Sequence, residues 1–165
     1  MNIHPVSFDH PDAVRLNARV QREYAERYGD SGDITPLDPA MFAPPRGLFL
    51  ILYDGRGTPV ASGGWRAQEA DDEGYVDGDA EIKRMYVIPE ARRRGLSRLV
   101  LAALEDNARA AGRIRMVLET GVTLPEAISL YVSSGYEPCA RFGPYRFHEL
   151  SRCYAKPLTA AAVAG

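Results

Sequence analysis

The spacing of apolar residues predicts a strand followed by a helix at the start of the chain. Residues 2–8 alternate weakly between apolar and polar side chains, as in a short strand. From Asp12 to Tyr28 apolar residues recur at helical spacing, and Gly29 follows as a helix stop. The next segment, residues 30–47, is rich in proline, glycine and aspartate and predicts a loop with at most one helical turn. Two partly overlapping apolar stripes mark the helix, one made by Val14, Ala18, Ala25 and Tyr28 and the other by Leu16 and Val20.

Three apolar runs in the middle of the chain predict consecutive strands. The first run, "LFLILY" from Leu48 to Tyr53, is followed by a glycine-containing turn and a second run at residues 59–68, which is typical of a hairpin. Gly63 and Gly64 interrupt the second run and indicate a bulge or the close approach of a ligand or backbone. The third run extends from Ala80 to Val87.

The second half of the chain predicts two more helices and three more strands. A long helix is expected from Gly95 to Ala111, followed by a strand at residues 114–120. A second helix starts near Pro125 and stops at Gly135, and short strands follow at residues 136–139 and 150–156. The expected buried positions of the long helix are Leu99, Val100, Ala103, Leu104 and Ala108.

This order of elements predicts the fold class. Strand, helix, three strands, helix, strand, helix and two strands are typical of an α/β (α+β) domain. We expect a central mixed, mostly antiparallel sheet of about six to seven strands, flanked by three to four helices. The chain has 165 residues and 45% hydrophobic content, which suits one domain. We assign residues 1–157 to that domain and residues 158–165 to a disordered C-terminal tail.

The charge balance and cysteine content narrow the classes of function. A formal net charge of -2 provides no overall field for nucleic acid or anionic lipid, so we expect neither as a partner. Cys139 and Cys153 do not form a disulfide framework or a zinc-ligand pattern, and the three histidines form no metal-ligand pattern. No targeting segment or membrane-spanning stretch is visible. These features predict a cytoplasmic protein without a metal.

A cluster of positive charge lies where the long helix begins. The sequence "RRRGLS", Arg92 to Ser97, joins a strand to a helix. A helix N-terminus has unpaired N–H groups and a partial positive charge, and glycine allows a phosphate to approach the backbone closely. The side chains of Arg92, Arg93 and Arg94 add charge around it. The pattern is compatible both with a pyrophosphate site and with a solvated basic turn.

Three segments together resemble the GNAT superfamily of acyl-CoA-dependent N-acyltransferases. "RRRGLS" is similar to the family's Arg/Gln-x-x-Gly-x-Gly/Ala turn, with Ser97 in the last small position. "LETG" at residues 118–121 and "PEAISLYVSSGYEP" at residues 125–138 resemble the family's later strand and helix. The resemblance covers roughly residues 80 to 140 and predicts acetyl-CoA as co-substrate.

The resemblance also implies roles for individual residues. Backbone amides of Met85, Tyr86 and Val87 are expected to bind the pantetheine arm and polarise the thioester carbonyl, and Tyr131 is expected to protonate the departing thiolate. Many relatives have an asparagine before the last helix, where this chain reads "TLPE", so Thr123 or the backbone would replace that contact. The residues expected to hold the pyrophosphate are Arg92, Arg93, Arg94, Gly95, Leu96, Ser97 and Arg98.

Acetyl transfer to an amine also requires a base, because amines are mostly protonated at neutral pH. The candidates are Glu119, at the end of its strand, and Glu81 on the neighbouring strand. Strand alternation would place Glu81, Lys83 and Met85 on the acceptor side. Each glutamate is also compatible with a solvent-facing or salt-bridged strand position, and Tyr131 with a core aromatic.

The sequence predicts an N-acetyltransferase that uses a ternary complex, with a small-molecule or peptide amine as acceptor and a possible homodimer as its assembly. The alternative is a non-catalytic domain that binds or senses acyl-CoA. Such a domain would need the arginine turn, Arg92 to Ser97, but not Glu119 or Tyr131. A nucleic-acid binder that uses the three arginines is disfavoured, since no aromatic residues are interleaved with them.

Overall fold

The computed structural model describes residues 1–29, 33, 35–121 and 125–158. Within these ranges the predicted order of elements and the mixed sheet are confirmed. Two short 3-10 turns, Pro39–Phe42 and Pro89–Ala91, are present in addition. The strands are β1 (Asn2–Pro5), β2 (Gly47–Tyr53), β3 (Pro59–Gln68), β4 (Asp79–Val87), β5 (Arg115–Gly121), β6 (Glu137–Pro138) and β7 (Ser151–Pro157). The helices are α1 (Pro11–Tyr28), α2 (Leu96–Ala110) and α3 (Pro125–Ser133).

One sheet with the strand order β1-β2-β3-β4-β5-β7-β6 forms the centre of the domain. All neighbouring strands are antiparallel except β4 and β5. The parallel pairing of β4 with β5 covers only Asp79–Glu81 against Arg115–Val117. Both strands continue beyond these pairs without pairing to each other, so they separate into a V-shaped opening in the sheet.

The glycine pair of β3 shows how the two faces of the sheet are covered. A Cβ on Gly63 would approach Val100 and Leu104, so α2 covers this face. A Cβ on Gly64 would instead approach the rings of Phe42 and Phe49, so the 3-10 turn at Pro39–Phe42 covers the other face. Both glycines thus lie where neighbouring groups approach the strand closely, as the sequence predicted.

Two predicted helix faces differ from the observed ones. On α1 the buried stripe contains Leu16 and Val20, whereas Val14 is 54% exposed. On α2 the buried face follows steps of four residues through Val100 and Leu104, and Leu99 is 50% exposed because it lies on the adjacent side. Both helices carry more apolar residues than one face can bury, so periodicity alone could not select the stripe.

A β-bulge breaks the regular alternation of β4. Ser62 pairs with Tyr86 and Gly64 pairs with Lys83, so Gly63 alone lies opposite two residues, Arg84 and Met85. Arg84 has a φ of 61°, in the left-handed region.

The bulge turns Lys83 and Arg84 to the same face of the sheet, where both contact Asp33. The sulfur of Met85 lies beside Gly63, on the α2 face. The predicted alternation is therefore wrong at Met85, since strand periodicity does not continue through a bulge.

Replacing Gly64 by alanine should destabilise the domain. The new Cβ would lie 2.7 Å from the ring of Phe49 and 2.9 Å from the carbonyl oxygen of Leu48, so the core must shift. We expect a loss of about 1–3 kcal/mol in the free energy of unfolding, measured by urea denaturation. Gly55→Ala is the matched control, because a Cβ there would meet nothing within 4 Å. Equal stability of the two variants would contradict this view of the core.

Candidate active site

A cavity of about 540 Å³ fills the opening between β4 and β5. It reaches from the start of α2 on one face of the sheet to Asp33 and Tyr145 on the other. Residues from both separated strands, from α1, α2 and α3, and from the segment before β7 line it. Of the predicted cofactor-binding residues, those lining the cavity are Met85, Tyr86, Val87, Arg92, Arg93, Gly95, Leu96, Ser97 and Arg98.

The start of α2 has the features of an anion-binding helix terminus. Gly95 is the N-cap residue with a φ of 73°, and no side chain caps the helix there. The amide groups of Leu96, Ser97 and Arg98 lie in its first turn, where N–H groups lack intrahelical partners. Arg93 lies in the turn that precedes this helix, also has a positive φ, and lines the cavity. The backbone and the charge therefore favour a phosphate group at this end.

The neighbouring arginines have different environments. Arg92 donates from Nη2 to both carboxylate oxygens of Glu23, at 3.0 and 2.9 Å, and from Nε to the carbonyl oxygen of Val87 at 3.0 Å. It thereby ties the arginine turn to α1 and β4. Arg98 donates to Ser133 and Ser134 at the end of α3. Arg94 is exposed and is not among the residues that line the cavity.

Tyr131 lies in the wall of the cavity and is 5% exposed. Its ring packs edge-on against Tyr136 with centroids 5.5 Å apart, and Tyr136 donates its hydroxyl to Glu105 at 2.7 Å. Burial raises the pKa of Tyr131 above its ordinary value, so the hydroxyl keeps its proton at neutral pH. A protonated phenol at this position can act as a hydrogen-bond or proton donor.

Glu119 lines the same cavity at the end that Asp33, Tyr145 and Ser151 also line, and this end is called the acceptor end below because the sequence predicts the acceptor there. Burial raises its pKa to about 7, against the lowering effects of the Ser151 hydrogen bond and the charge of Lys83. The Ser151 hydroxyl donates to Oε2 at 2.9 Å. A carboxylate that titrates near neutral pH can exchange a proton with a bound amine.

Glu81 has a different environment and does not line the cavity. Its Oε1 accepts from Nε of Arg66 at 2.8 Å and from Gln68 at 3.0 Å, and its Oε2 accepts from the hydroxyl of Tyr75 at 2.9 Å. The side chain is only 1% exposed. Three donors thus fix this carboxylate within the sheet.

Sequence reasoning missed two polar residues at the acceptor end. Asp33 and Ser151 line the cavity there together with Lys83 and Tyr145. Although burial opposes ionisation, the charge of Lys83 and hydrogen bonds from Thr35 hold the pKa of Asp33 well below its usual range. These residues come from separate loops and strands and belong to no motif. The only signal was the acidic, proline-rich loop after α1.

The two cysteines remain free. Burial raises the pKa of the Cys153 thiol to about 11 and also raises the pKa of the Cys139 thiol. Neither thiol therefore has the depressed pKa typical of a nucleophilic cysteine.

His10 accepts a hydrogen bond from the amide of Asp12 at the start of α1, and His148 accepts one from the amide of Leu150. His10 therefore caps the start of α1.

The described part of the chain contains no group of three or more His, Cys, Asp or Glu residues arranged to hold a metal ion. It also contains no helix long and apolar enough to cross a membrane. Thr123 lies outside the described residues, as do residues 159–165 of the predicted tail. Leu158 is buried, and its amide donates to the carbonyl oxygen of Ile114 at 2.9 Å.

The fold is that of acyltransferases that take an acyl group from coenzyme A, as comparisons with known proteins show. Residues 14–136 match the Acetyltransferase (GNAT) family. An IAA acetyltransferase from Azospirillum brasilense is 39% identical over 142 residues, which cover 82% of this chain and 87% of that protein. The chain therefore belongs to the GNAT acetyltransferase family.

Solved structures show the same architecture. A Klebsiella pneumoniae structure assigned as an acyl-CoA N-acyltransferase has a TM-score of 0.74 and 28% identity, over 96% of this chain and 97% of that chain. An aminoglycoside 6'-N-acetyltransferase complexed with coenzyme A has a TM-score of 0.68 and 17% identity, over 96% of this chain and 98% of that chain. The second likeness establishes the fold alone.

Glu119 should make the stability of the domain depend on pH. Folding raises the pKa of Glu119, so the protonated side chain stabilises the folded domain. This contribution to stability is complete below the pKa of the unfolded chain, near 4.5, and is lost as the pH rises through about 7. Glu119→Gln, which mimics the protonated form, should raise the melting temperature relative to the wild type at pH 8, by on the order of 3 °C. The gain should vanish at pH 4.

Thermal denaturation at both pH values measures this effect. Glu149→Gln, at an exposed glutamate, is the control and should change neither value. A gain of equal size at pH 4 and pH 8 would mean that Glu119 does not titrate as described.

Proposed function

We propose that this protein is an acetyl-CoA-dependent N-acetyltransferase that acts on a primary amine in a ternary complex. The observation that carries the proposal is the single cavity through the sheet. It connects an uncapped helix terminus suited to pyrophosphate with Tyr131 and with Glu119, whose pKa is about 7. Family membership supports acyl transfer from coenzyme A, whereas the acetyl group and the amine acceptor are our inference.

The donor would enter along the separated part of β4. Here the strand has no pairing with β5, so backbone groups of Met85 to Val87 can bond the pantetheine arm and the thioester carbonyl. The pyrophosphate would occupy the amide groups of Leu96 to Arg98, with Arg93 beside it. Arg92 would support this turn from its pair with Glu23 rather than contact phosphate.

The acceptor amine would meet the thioester from the Glu119 side. Glu119 removes a proton from the ammonium, directly or through water, and the nitrogen attacks the thioester carbon to form a C–N bond. The tetrahedral intermediate collapses as the C–S bond breaks, the CoA thiolate takes the proton of Tyr131, and the nitrogen gives its second proton to water as the neutral amide forms. Glu119 later releases its proton to solvent and Tyr131 is reprotonated from solvent, so each transfer releases one proton overall.

Glu119 is the more suitable base of the two predicted glutamates. It faces the cavity, accepts one hydrogen bond from Ser151 and has an elevated pKa. Glu81 is saturated by Arg66, Gln68 and Tyr75, so its role would be to support the acceptor wall.

A non-catalytic acyl-CoA sensor would need only the donor half of the cavity. Removing Glu119 from water costs free energy that binding of coenzyme A alone does not require. The buried glutamate at the acceptor end therefore favours catalysis over sensing.

The direct test is to incubate the purified 165-residue chain with acetyl-CoA and a panel of primary amines while following free thiol release. We expect amine-dependent release well above hydrolysis, and calorimetry should detect binding of coenzyme A without an acceptor. Binding without turnover on any amine would favour the sensor. Absence of binding at millimolar coenzyme A would reject both functions.

Replacing Tyr131 by phenylalanine should slow transfer without weakening coenzyme A binding. The variant retains the ring in its buried position but lacks the proton donor, so kcat should fall by roughly 100-fold, the lower range for loss of a general acid. The dissociation constant for coenzyme A should change by less than about 3-fold, well under a tenfold step of 1.4 kcal/mol.

Tyr136→Phe is the matched control for Tyr131→Phe. It removes a buried hydroxyl from the neighbouring ring, which bonds Glu105 rather than the cavity, and should lower stability but not kcat. An unchanged kcat in Tyr131→Phe would remove the proposed role of that hydroxyl.

The pH dependence of kcat/KM should report Glu119. Because the base must be ionised, the rate constant should rise with pH and level off above an apparent pKa of about 7. In Glu119→Gln this step should disappear and the remaining activity should be lower at every pH. A step that persists in the variant would assign it to another group.

A further inference from the structure

Two buried cations at the acceptor end share one carboxylate. Nζ of Lys83 lies 3.0 Å from Oδ2 of Asp33, and Nε of Arg84 lies 3.8 Å from the same oxygen. The side chains of Lys83, Arg84 and Asp33 are only 10%, 7% and 13% exposed. The bulge in β4 creates this group, because it turns consecutive residues to one face.

The second oxygen of Asp33, Oδ1, accepts hydrogen bonds from uncharged donors. Oδ1 accepts from the amide of Thr35 at 2.9 Å, from its hydroxyl at 2.6 Å and from the hydroxyl of Tyr145 at 3.1 Å. Asp33 therefore supplies one negative charge for two positive ones. Nε of Arg84 is buried and has no hydrogen-bond partner in the described part of the chain.

Among the residues that the structure describes, the other buried ions on this face do not compensate the excess. Arg66 is matched by Glu81 at 2.8 Å. Glu119 can balance the charge while it is ionised, but an ammonium acceptor would use that negative charge for itself. With a simple monoamine bound, the acceptor end would therefore hold one uncompensated positive charge out of water, which is costly.

We infer that the acceptor carries a carboxylate in addition to its amine, as amino acids do. In this arrangement the ammonium faces Glu119 and the carboxylate lies against Lys83 and Arg84. The acceptor then brings one charge of each sign, and the buried charges sum to zero. This inference rests on the proposed transferase activity and names the substrate class for it.

Lys83 and Arg84 are suited to this contact. The ammonium of Lys83 has three donors, of which the Asp33 contact uses one. Arg84 has an unpaired Nε and a backbone held in the left-handed region, where a non-glycine residue is uncommon. A carboxylate would satisfy both groups by charge-assisted hydrogen bonds.

The test compares matched acceptors that differ only in the carboxylate. Leucine, leucinamide and 3-methylbutylamine, with parallel sets built on phenylalanine and methionine, are assayed with acetyl-CoA at saturation. We expect kcat/KM to favour the amino acid over its amide and amine by at least 10-fold in one or more sets, as for loss of a charge-assisted contact. The amine pKa is lower in the amides and higher in the simple amines than in the amino acids, so rates are compared across a pH series.

Two variants should shift this preference in opposite directions. Lys83→Met should reduce kcat/KM for the amino acid by about 10-fold or more and have little effect on the amide, as expected for one lost ionic contact. Asp33→Asn removes the competing carboxylate and should lower KM for the amino acid. Lys83→Arg should retain the preference, which separates a charge effect from a folding defect.

Arg109→Gln is the control, because Arg109 is a surface arginine on α2 that pairs with Asp106. It should leave the preference unchanged. Calorimetry with coenzyme A on every variant verifies that the donor half remains folded.

The outcomes separate the two proposals. Equal acylation of acid, amide and amine would overturn the carboxylate site and leave the transferase function intact, as would a preference for the amines. No thiol release with any acceptor, despite coenzyme A binding, would instead overturn the transferase function.

Discussion

The early end of the pairing between β4 and β5 is the feature on which the rest of the site depends. Only three residue pairs join these strands, and both strands then continue for several residues without a mutual ladder. Backbone groups left unpaired in a sheet interior must find other partners. The opening therefore supplies a row of donors and acceptors in the middle of a rigid sheet, with one face open towards α2 and the other towards the α1 loop.

An ion pair joins the two strands at the start of their paired segment. Asp79, which is 0% exposed, accepts from Nε and Nη2 of Arg115 at 2.7 and 2.9 Å across the first pair of residues, and the strands separate after Glu81 and Val117. Its other contacts include the amide of Val76 at 2.9 Å. The two-pronged geometry fixes the strands where they still pair. Together with the Arg66–Glu81 pair, it holds the sheet in register beside the point of separation.

The sequence could predict the order of elements and most of the residues that line the cavity beside α2, because those depend on local patterns. Apolar periodicity located the strands and helices, and the arginine-glycine turn located the helix terminus. Apart from Glu119, the group of charges at the acceptor end could not be predicted, since it depends on the bulge at Arg84 and on contacts such as Lys83 with Asp33, fifty positions apart in sequence. Even within the turn, composition could not separate Arg92, which lines the cavity but pairs with Glu23, from Arg94, which is exposed and does not line the cavity.

Satisfied and unsatisfied charges separate the scaffold from the reacting region. Arg66 with Glu81 and Arg115 with Asp79 are matched pairs with close contacts, so a ligand gains little by approaching them. Within the described ranges, Glu119 has only Ser151 as a hydrogen-bond donor, and Lys83 and Arg84 share one carboxylate. Charged groups of this second kind have room for further polar contacts, which a bound ligand can supply. All three face the same cavity. The distribution of incomplete pairing therefore points to the acceptor end as the place where specificity is decided.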